Sequence, residues 1–202
     1  MERISNFVEE KLINMVKRLL LGSKSPRRRE ILSLLKIPFT VVTIEDEDET
    51  YPEDLAPEEV SEYLSKKKAN LFLDRINENE ILITADTVVI SEGKILGKPK
   101  DAEDAKNMLR QLSGRTHKVT TGVTIATKEK RESFTSETLV TFAKITEEEI
   151  EFYVKHYLPL DKAGAYGIQE WIGAVAVEKI NGSFYNVMGL PVHRLYQALK
   201  NF

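Results

Sequence analysis

The chain has 202 residues, 42% hydrophobic and 30% charged, enough to bury a sizeable core without covalent staples. It holds no cysteine, which excludes disulfides and thiolate chemistry and fits a reducing, cytoplasmic setting. A net charge of −3 gives no electrostatic basis for a dominant nucleic-acid partner, and no apolar run approaches the ~20 residues of a membrane span.

Residues 1–17 form an N-terminal extension without the apolar stretch of a signal peptide. The segment is expected to be an amphipathic helix with Ile4, Phe7, Val8, Leu12 and Met15 on one side, and Met15 is a candidate natural start. Residues 18–202 are expected to form a single domain. Arg18 to Leu21 predicts a short apolar strand ending at Gly22 and the loop Ser23-Lys24-Ser25. Ser25 then caps a helix opened by Pro26, which stops before Pro38. A strand over Phe39 to Ile44 is followed by the acidic run Glu45 to Glu49, and Ala56 to Phe72 predicts a helix. Ile81 to Ala85 is a buried strand that delivers Asp86 near a strand-to-turn transition; Thr87 to Ile90 continues it, and Glu92-Gly93 turns into Ile95-Leu96.

Asp101 caps a helix running through Leu112, with Asp104 as a capping-box analogue. His117 to Ala126 and Ser133 to Ala143 read as an antiparallel hairpin. Thr146 and Glu149 form a capping box for the next helix. A glycine-containing loop spans Asp161 to Gln169, a further hairpin is expected to turn at Asn181-Gly182, and Pro191 opens a final helix. Strands and helices mix without strict βαβ alternation, so the fold class is α/β or α+β with a mixed, partly antiparallel sheet.

The segment LLLGSKSPRRREIL carries the clearest chemical signal. A helix N-terminus attracts anions, yet here the first turn holds Arg27 and Arg28, which oppose the helix dipole. A bound phosphate would relieve the conflict, with Ser23 and Ser25 as hydroxyl donors and the guanidinium groups as bidentate forks. A capped helix with a solvated basic turn is the plainer reading. Asp86 can bind a divalent metal, take a proton from water, or simply be satisfied by neighbouring N–H groups. Thr87 can bond a nucleobase or cap a turn. Lys98, set between Gly97 and Pro99, suits a phosphate as a point charge. The acidic run can supply a metal-binding carboxylate or be a solvated loop. Lys66, Lys67 and Lys68 are successive on a helix and cannot all face one way. Gln169 carries the donor and acceptor needed to read a base edge. His117, His156 and His193 match no metal-ligand spacing and read as structural or surface residues.

Six segments in order, SKSPRR (Ser23 to Arg28), TADT (Thr84 to Thr87), GKP (Gly97 to Pro99), LSGRTH (Leu112 to His117), DKAGAYGIQ (Asp161 to Gln169) and INGSFYNVMGLP (Ile180 to Pro191), resemble the Maf family over nearly the whole chain. The resemblance implies an ITPase-like α/β fold, of the Maf/Ham1 type, with two lobes around a central cleft. It implies hydrolysis of nucleoside triphosphates to the monophosphate and pyrophosphate with a divalent metal, magnesium or manganese, and a homodimer. Asp86 matches the family's proton acceptor, and Arg27, Thr87 and Gln169 match positions linked to substrate choice. Ser23, Arg28, Lys68 and Lys98 match polar residues lining the site, and Glu49 matches the acid before the lysine helix, a metal partner for Asp86. The last two loops resemble the branch acting on dTTP and UTP rather than 7-methyl-GTP or CTP. A non-catalytic role in septum formation is the alternative historically attached to the family. Thr84 departs from the family's usual glycine, and the N-terminal extension is atypical.

Overall fold

The computed structural model describes residues 18–44 and 48–202; the expected N-terminal helix and acidic residues Glu45 to Glu47 lie outside the described residues. Seven strands make one mixed sheet: β1 (Arg18–Gly22), β2 (Phe39–Val42), β3 (Glu80–Ser91), β4 (Lys94–Leu96), β5 (Thr116–Ala126), β6 (Arg131–Phe142) and β7 (Val177–Asn181). Their order is β2-β1-β3-β5-β6-β7, with β4 paired to β3. β1 is parallel to β2 and β3, and the remaining pairings are antiparallel. The helices are α1 (Pro26–Ser33), α2 (Pro57–Asn70), α3 (Ala102–Leu112), α4 (Glu147–Tyr157), α5 (Trp171–Ala176), α6 (Phe184–Met188) and α7 (Val192–Leu199), with a 3₁₀ turn at Ala163–Ala165. The mixed, partly antiparallel α/β architecture is the one expected, and no helix among the described residues is long and apolar enough to cross a membrane.

The caps act where the sequence placed them. Ser25 accepts from the Arg28 amide, Asp101 from the Asp104 amide, and Thr146 and Glu149 complete a reciprocal capping box. Asp104 departs slightly from its expected role, since its carboxylate accepts from the Lys100 amide.

Period-two alternation sorts the sheet's side chains onto two faces. Leu19, Leu21, Ile81, Ile83, Ala85 and Val89 enter the main core, which α1, α3, α4, α5 and α7 complete. On the other face Leu20 and Leu82 pack with Ala69 and Phe72, while Val88 and Ile90 pack with Val60 and Leu64 of α2. Asp86 therefore shares the α2 face with Leu82 and Val88, and Thr87 shares the opposite face with Ala85 and Val89.

Three expectations are corrected. The hairpin at Asn181-Gly182 does not form: the Ser183 hydroxyl accepts from the Asn186 amide, and the chain turns into α6 instead. β7 pairs on one edge with β6, from Leu139↔Asn181 to Phe142↔Val177, and no later strand among the described residues follows to pair with its other edge. Asp86 is also not at a strand end; it lies midway along the twelve-residue β3. β2 is shorter than expected and ends at Val42.

Candidate active site

The opening that exposes Asp86 is made by the neighbours of β3. One edge of β3 is covered by β5 from Leu82 to Ile90. The other edge is shared by two short strands: β1 pairs as far as Gly22↔Thr84, and β4 begins at Val89↔Leu96. Residues 85–88 fall in the gap. The chain leaves β1 there through Ser23 to Ser25 and enters α1, so a helix N-terminus is set beside Asp86 and Thr87. Ligands of α/β sheets gather where a strand's carboxyl end meets such a helix; the strand that does this is β1, not β3.

A cleft of about 810 Å³ occupies the gap, a size suited to a small-molecule ligand. All nine residues expected at the site, Ser23, Arg27, Arg28, Glu49, Lys68, Asp86, Thr87, Lys98 and Gln169, line it. Lys68 is the member of the lysine triplet that turns inward: Lys66 pairs with Glu62 and Lys67 with Asp48, while Lys68 Nζ donates to Asp86 Oδ1 at 2.6 Å and Glu49 Oε1 at 3.2 Å. Lys98 Nζ meets the Glu49 carboxylate at 3.0 Å. The Glu49 pKa is displaced in two directions: burial, the largest influence, raises it, but the Lys98 hydrogen bond and the Lys68 charge leave it below the usual glutamate value.

On the opposite side, the Arg28 guanidinium is fixed by three acceptors. Nε donates to the Gly189 carbonyl at 2.8 Å, Nη2 to Thr87 Oγ1 at 3.1 Å and Nη1 to Ser23 Oγ at 3.4 Å. Thr87 Oγ1 lies 3.0 Å from Thr121 Oγ1, which donates to the Asn186 carbonyl. Arg27 Nη1 donates to Asp161 Oδ2 at 2.6 Å. Gln169 lies at the cleft's rim, exposed.

Sequence reasoning missed Lys162 and the acid beside it. Lys162 is buried and bridges Asp161 at 2.7 Å and Glu170 at 3.1 Å. Asp161 is pulled down to about 2, because the Lys162 and Arg27 hydrogen bonds outweigh burial, the largest influence, which acts upward. Both residues lie within DKAGAYGIQ, so the signal was present, but their pairing with Arg27 joins positions 134 apart in sequence. The three histidines are structural or surface residues as expected: His117 is buried with Nε2 2.7 Å from Tyr166 Oη, and His156 and His193 are exposed.

Among the described residues, six basic side chains line the cleft (Lys24, Arg27, Arg28, Lys68, Lys98 and Lys162) against three acidic ones (Glu49, Asp86 and Asp161). A chain of net charge −3 thus concentrates positive charge in one concavity, which focuses its field on an anionic ligand. The two carboxylates that share Lys68 form a hard oxygen donor pair. No group of three or more metal-ligating residues occurs among the described residues. Such a pair fits a magnesium-type ion, which takes one or two protein carboxylates and completes its shell with phosphate and water oxygens.

Fold and site together define an α/β protein with a cation-rich cleft at its β1–α1 turn. A model for Maf-like proteins matches residues 18–202, and the chain belongs to the Maf family. Similar curated proteins include a dTTP/UTP pyrophosphatase of Porphyromonas gingivalis, 53% identical over 92% of this chain and 94% of that one. A dTTP/UTP pyrophosphatase of Bacteroides thetaiotaomicron is 52% identical over 90% and 94%. Among solved structures, the Ham1 protein of Staphylococcus aureus shares the fold, with a TM-score of 0.54 and 15% identity over 92% of this chain and 99% of that one.

Proposed function

We propose that this chain is a pyrophosphatase that hydrolyses dTTP and UTP to the monophosphate and pyrophosphate. The observation that carries the reading is the cation-rich cleft, in which all nine residues expected from the sequence converge. The naming of relatives about half identical over nine-tenths of the chain supports the substrate choice.

In this reading the triphosphate lies against the α1 N-terminus, Arg27, Arg28 and Lys98, which balance its charge without reorganising. Water attacks the α-phosphorus, the bond to the α–β bridging oxygen breaks, and pyrophosphate leaves. Lys68 holds Asp86 Oδ1, so Oδ2 is the oxygen that orients the water and accepts its proton. Asp86 and Glu49 would hold a magnesium or manganese ion, which when bound neutralises charge on the phosphate oxygens. Gln169 and Thr87 meet the base and sugar end of the substrate. The enzyme acts in the cytoplasm as a homodimer, with residues 18–202 as its single catalytic domain; sedimentation of the purified chain tests the oligomeric state.

The deciding experiment measures pyrophosphate release from dTTP, UTP, CTP, 7-methyl-GTP and the common ribonucleotides, with and without magnesium or manganese. Metal-dependent release favouring dTTP and UTP is expected. Preference for CTP or 7-methyl-GTP would overturn the substrate choice, and no release by folded protein would overturn the enzyme reading in favour of a binding role in septum formation.

A further inference from the structure

The segment that carries both Asp161 and Gln169 is braced by groups outside the cleft. Tyr153, fully buried on α4, accepts a hydrogen bond from the Gly167 amide at 3.0 Å and donates its own proton to Glu170 Oε2. Glu170 Oε1 meets Lys162 Nζ at 3.1 Å, Lys162 donates to Asp161 Oδ1 at 2.7 Å, and Asp161 Oδ2 accepts from Arg27 at 2.6 Å. A continuous chain of four hydrogen bonds and one ion pair, Lys162–Glu170, therefore runs from the amide of Gly167, two residues before Gln169, to the guanidinium of Arg27. The Glu170 backbone closes the same turn, its amide donating to the Gly167 carbonyl at 2.9 Å. The turn is also crowded, since a Cβ at Gly167 would come 2.8 Å from the Glu170 carboxyl carbon and 2.9 Å from Gln169 Nε2. The Gln169 carboxamide thus has little room over Gly167, and any shift of Glu170 moves the backbone that presents it. Burial, the largest influence, and the Glu170 hydrogen bond both raise the Tyr153 pKa, so the phenol keeps its proton across the neutral range.

We infer that Tyr153 and Glu170 are positioning residues for nucleotide selectivity: their hydrogen bond, anchored on Lys162, fixes the direction in which Gln169 meets the base. The inference rests on the reading above that Gln169 contacts the base. Neither Tyr153 nor Glu170 lines the cleft, so they act through Gln169 and leave the phosphate chemistry to other groups. Removing the phenolic hydroxyl frees the turn by one hydrogen bond at each end.

The test compares kcat and KM for UTP and CTP, which differ at the base edge alone, in wild type, Tyr153→Phe, Glu170→Gln and Gln169→Ala. In Tyr153→Phe the ratio of kcat/KM for UTP over CTP is expected to fall about 10-fold, through a higher KM for UTP, with kcat for UTP kept within about twofold. Glu170→Gln keeps one acceptor oxygen and should lower the ratio by less than Gln169→Ala does. Thermal melts confirm that each variant is folded, and Glu170→Gln decides the matter if Tyr153→Phe is not. An unchanged ratio, or an equal loss of kcat on both nucleotides, overturns the inference. If Gln169→Ala lowers the ratio and the strut variants do not, base reading by Gln169 stands and the strut fails; if Gln169→Ala leaves the ratio unchanged, both fall.

Discussion

Lys68 Nζ donates to Asp86 Oδ1 at 2.6 Å, with only 7% and 10% of the two side chains exposed. Burial is the largest influence on Lys68 and lowers its pKa. The charge of Asp86 opposes this and prevails over the further downward push from Arg28, so the folded value lies above the ordinary 10.5. A raised lysine pKa contributes stability that is complete below the unfolded value and is lost as pH rises through the folded one. Lys68 therefore keeps its proton across the neutral range and holds Asp86 in one orientation.

Asp86→Asn keeps the side chain's shape and removes its charge. Turnover on the preferred nucleotide should fall by a factor of about 100 or more if Asp86 is the general base. Steady-state kinetics at equal concentrations of folded protein measure this, and wild-type turnover would remove Asp86 from that role. Lys68→Met leaves the Asp86 carboxylate buried beside no ammonium and should cost about 3–5 kcal/mol in urea unfolding.

The pair meets only because α2 lies close on the sheet. Gly122 of β5 stands opposite Asp86 in the ladder, and a Cβ there would come 2.3 Å from the Ser61 carbonyl oxygen and the Glu62 amide nitrogen. Both are backbone atoms, so no side-chain rotation relieves the overlap. Gly122→Ala should destabilise the fold by about 1–3 kcal/mol and lower kcat by lifting Lys68 away from Asp86. Wild-type kinetics and melting together would show that α2 can shift without consequence.

How far the site could be read in advance follows from the range of each signal. Ser25, Asp101 and the Thr146–Glu149 box act over three or four residues, and all cap the helices they announced. The alternation in β3 is equally local and puts Asp86 and Thr87 on opposite faces. The Asn181-Gly182 pair misled because a hairpin also needs a second strand to accept it; the Ser183 cap turned the following residues into a helix instead. The contacts that make the site are long-range: Arg28 to Gly189 spans 161 positions, and Tyr153 reaches Gly167 and Glu170 from a separate helix. Composition and spacing contain nothing that pairs them. The family motifs bridged much of that distance by naming residues as a set, which is how one lysine of three and one acid of five could be chosen.

His117 makes stability depend on pH in a predictable direction. It is buried against Phe142 and Tyr166, its Nδ1 has no hydrogen-bond partner among the described residues, and burial pushes its pKa down to about 4. The unfolded chain, with a histidine near 6.5, binds the proton more tightly, so this contribution is complete above about pH 6.5 and is lost as pH falls toward about 4. The full effect is of order 3 kcal/mol. Melting temperature should decline through that window, and the decline should flatten in His117→Gln. An equally steep decline in that variant would assign the slope to other groups.

Glu49 separates stability from function. It is close to half exposed, 44% for the side chain, and its bond to the more exposed Lys98 is open to solvent screening. Glu49→Gln should therefore change unfolding free energy by no more than about 1 kcal/mol. The same substitution removes one of the two carboxylate groups proposed to hold the metal while leaving Asp86 and the cations in place. Weaker magnesium or manganese binding by calorimetry is expected, together with a higher metal concentration for half-maximal pyrophosphate release. Stability loss well above this with metal binding unchanged would make Glu49 a strut between Lys68 and Lys98, and the metal would then rest on Asp86 and the substrate's own phosphates.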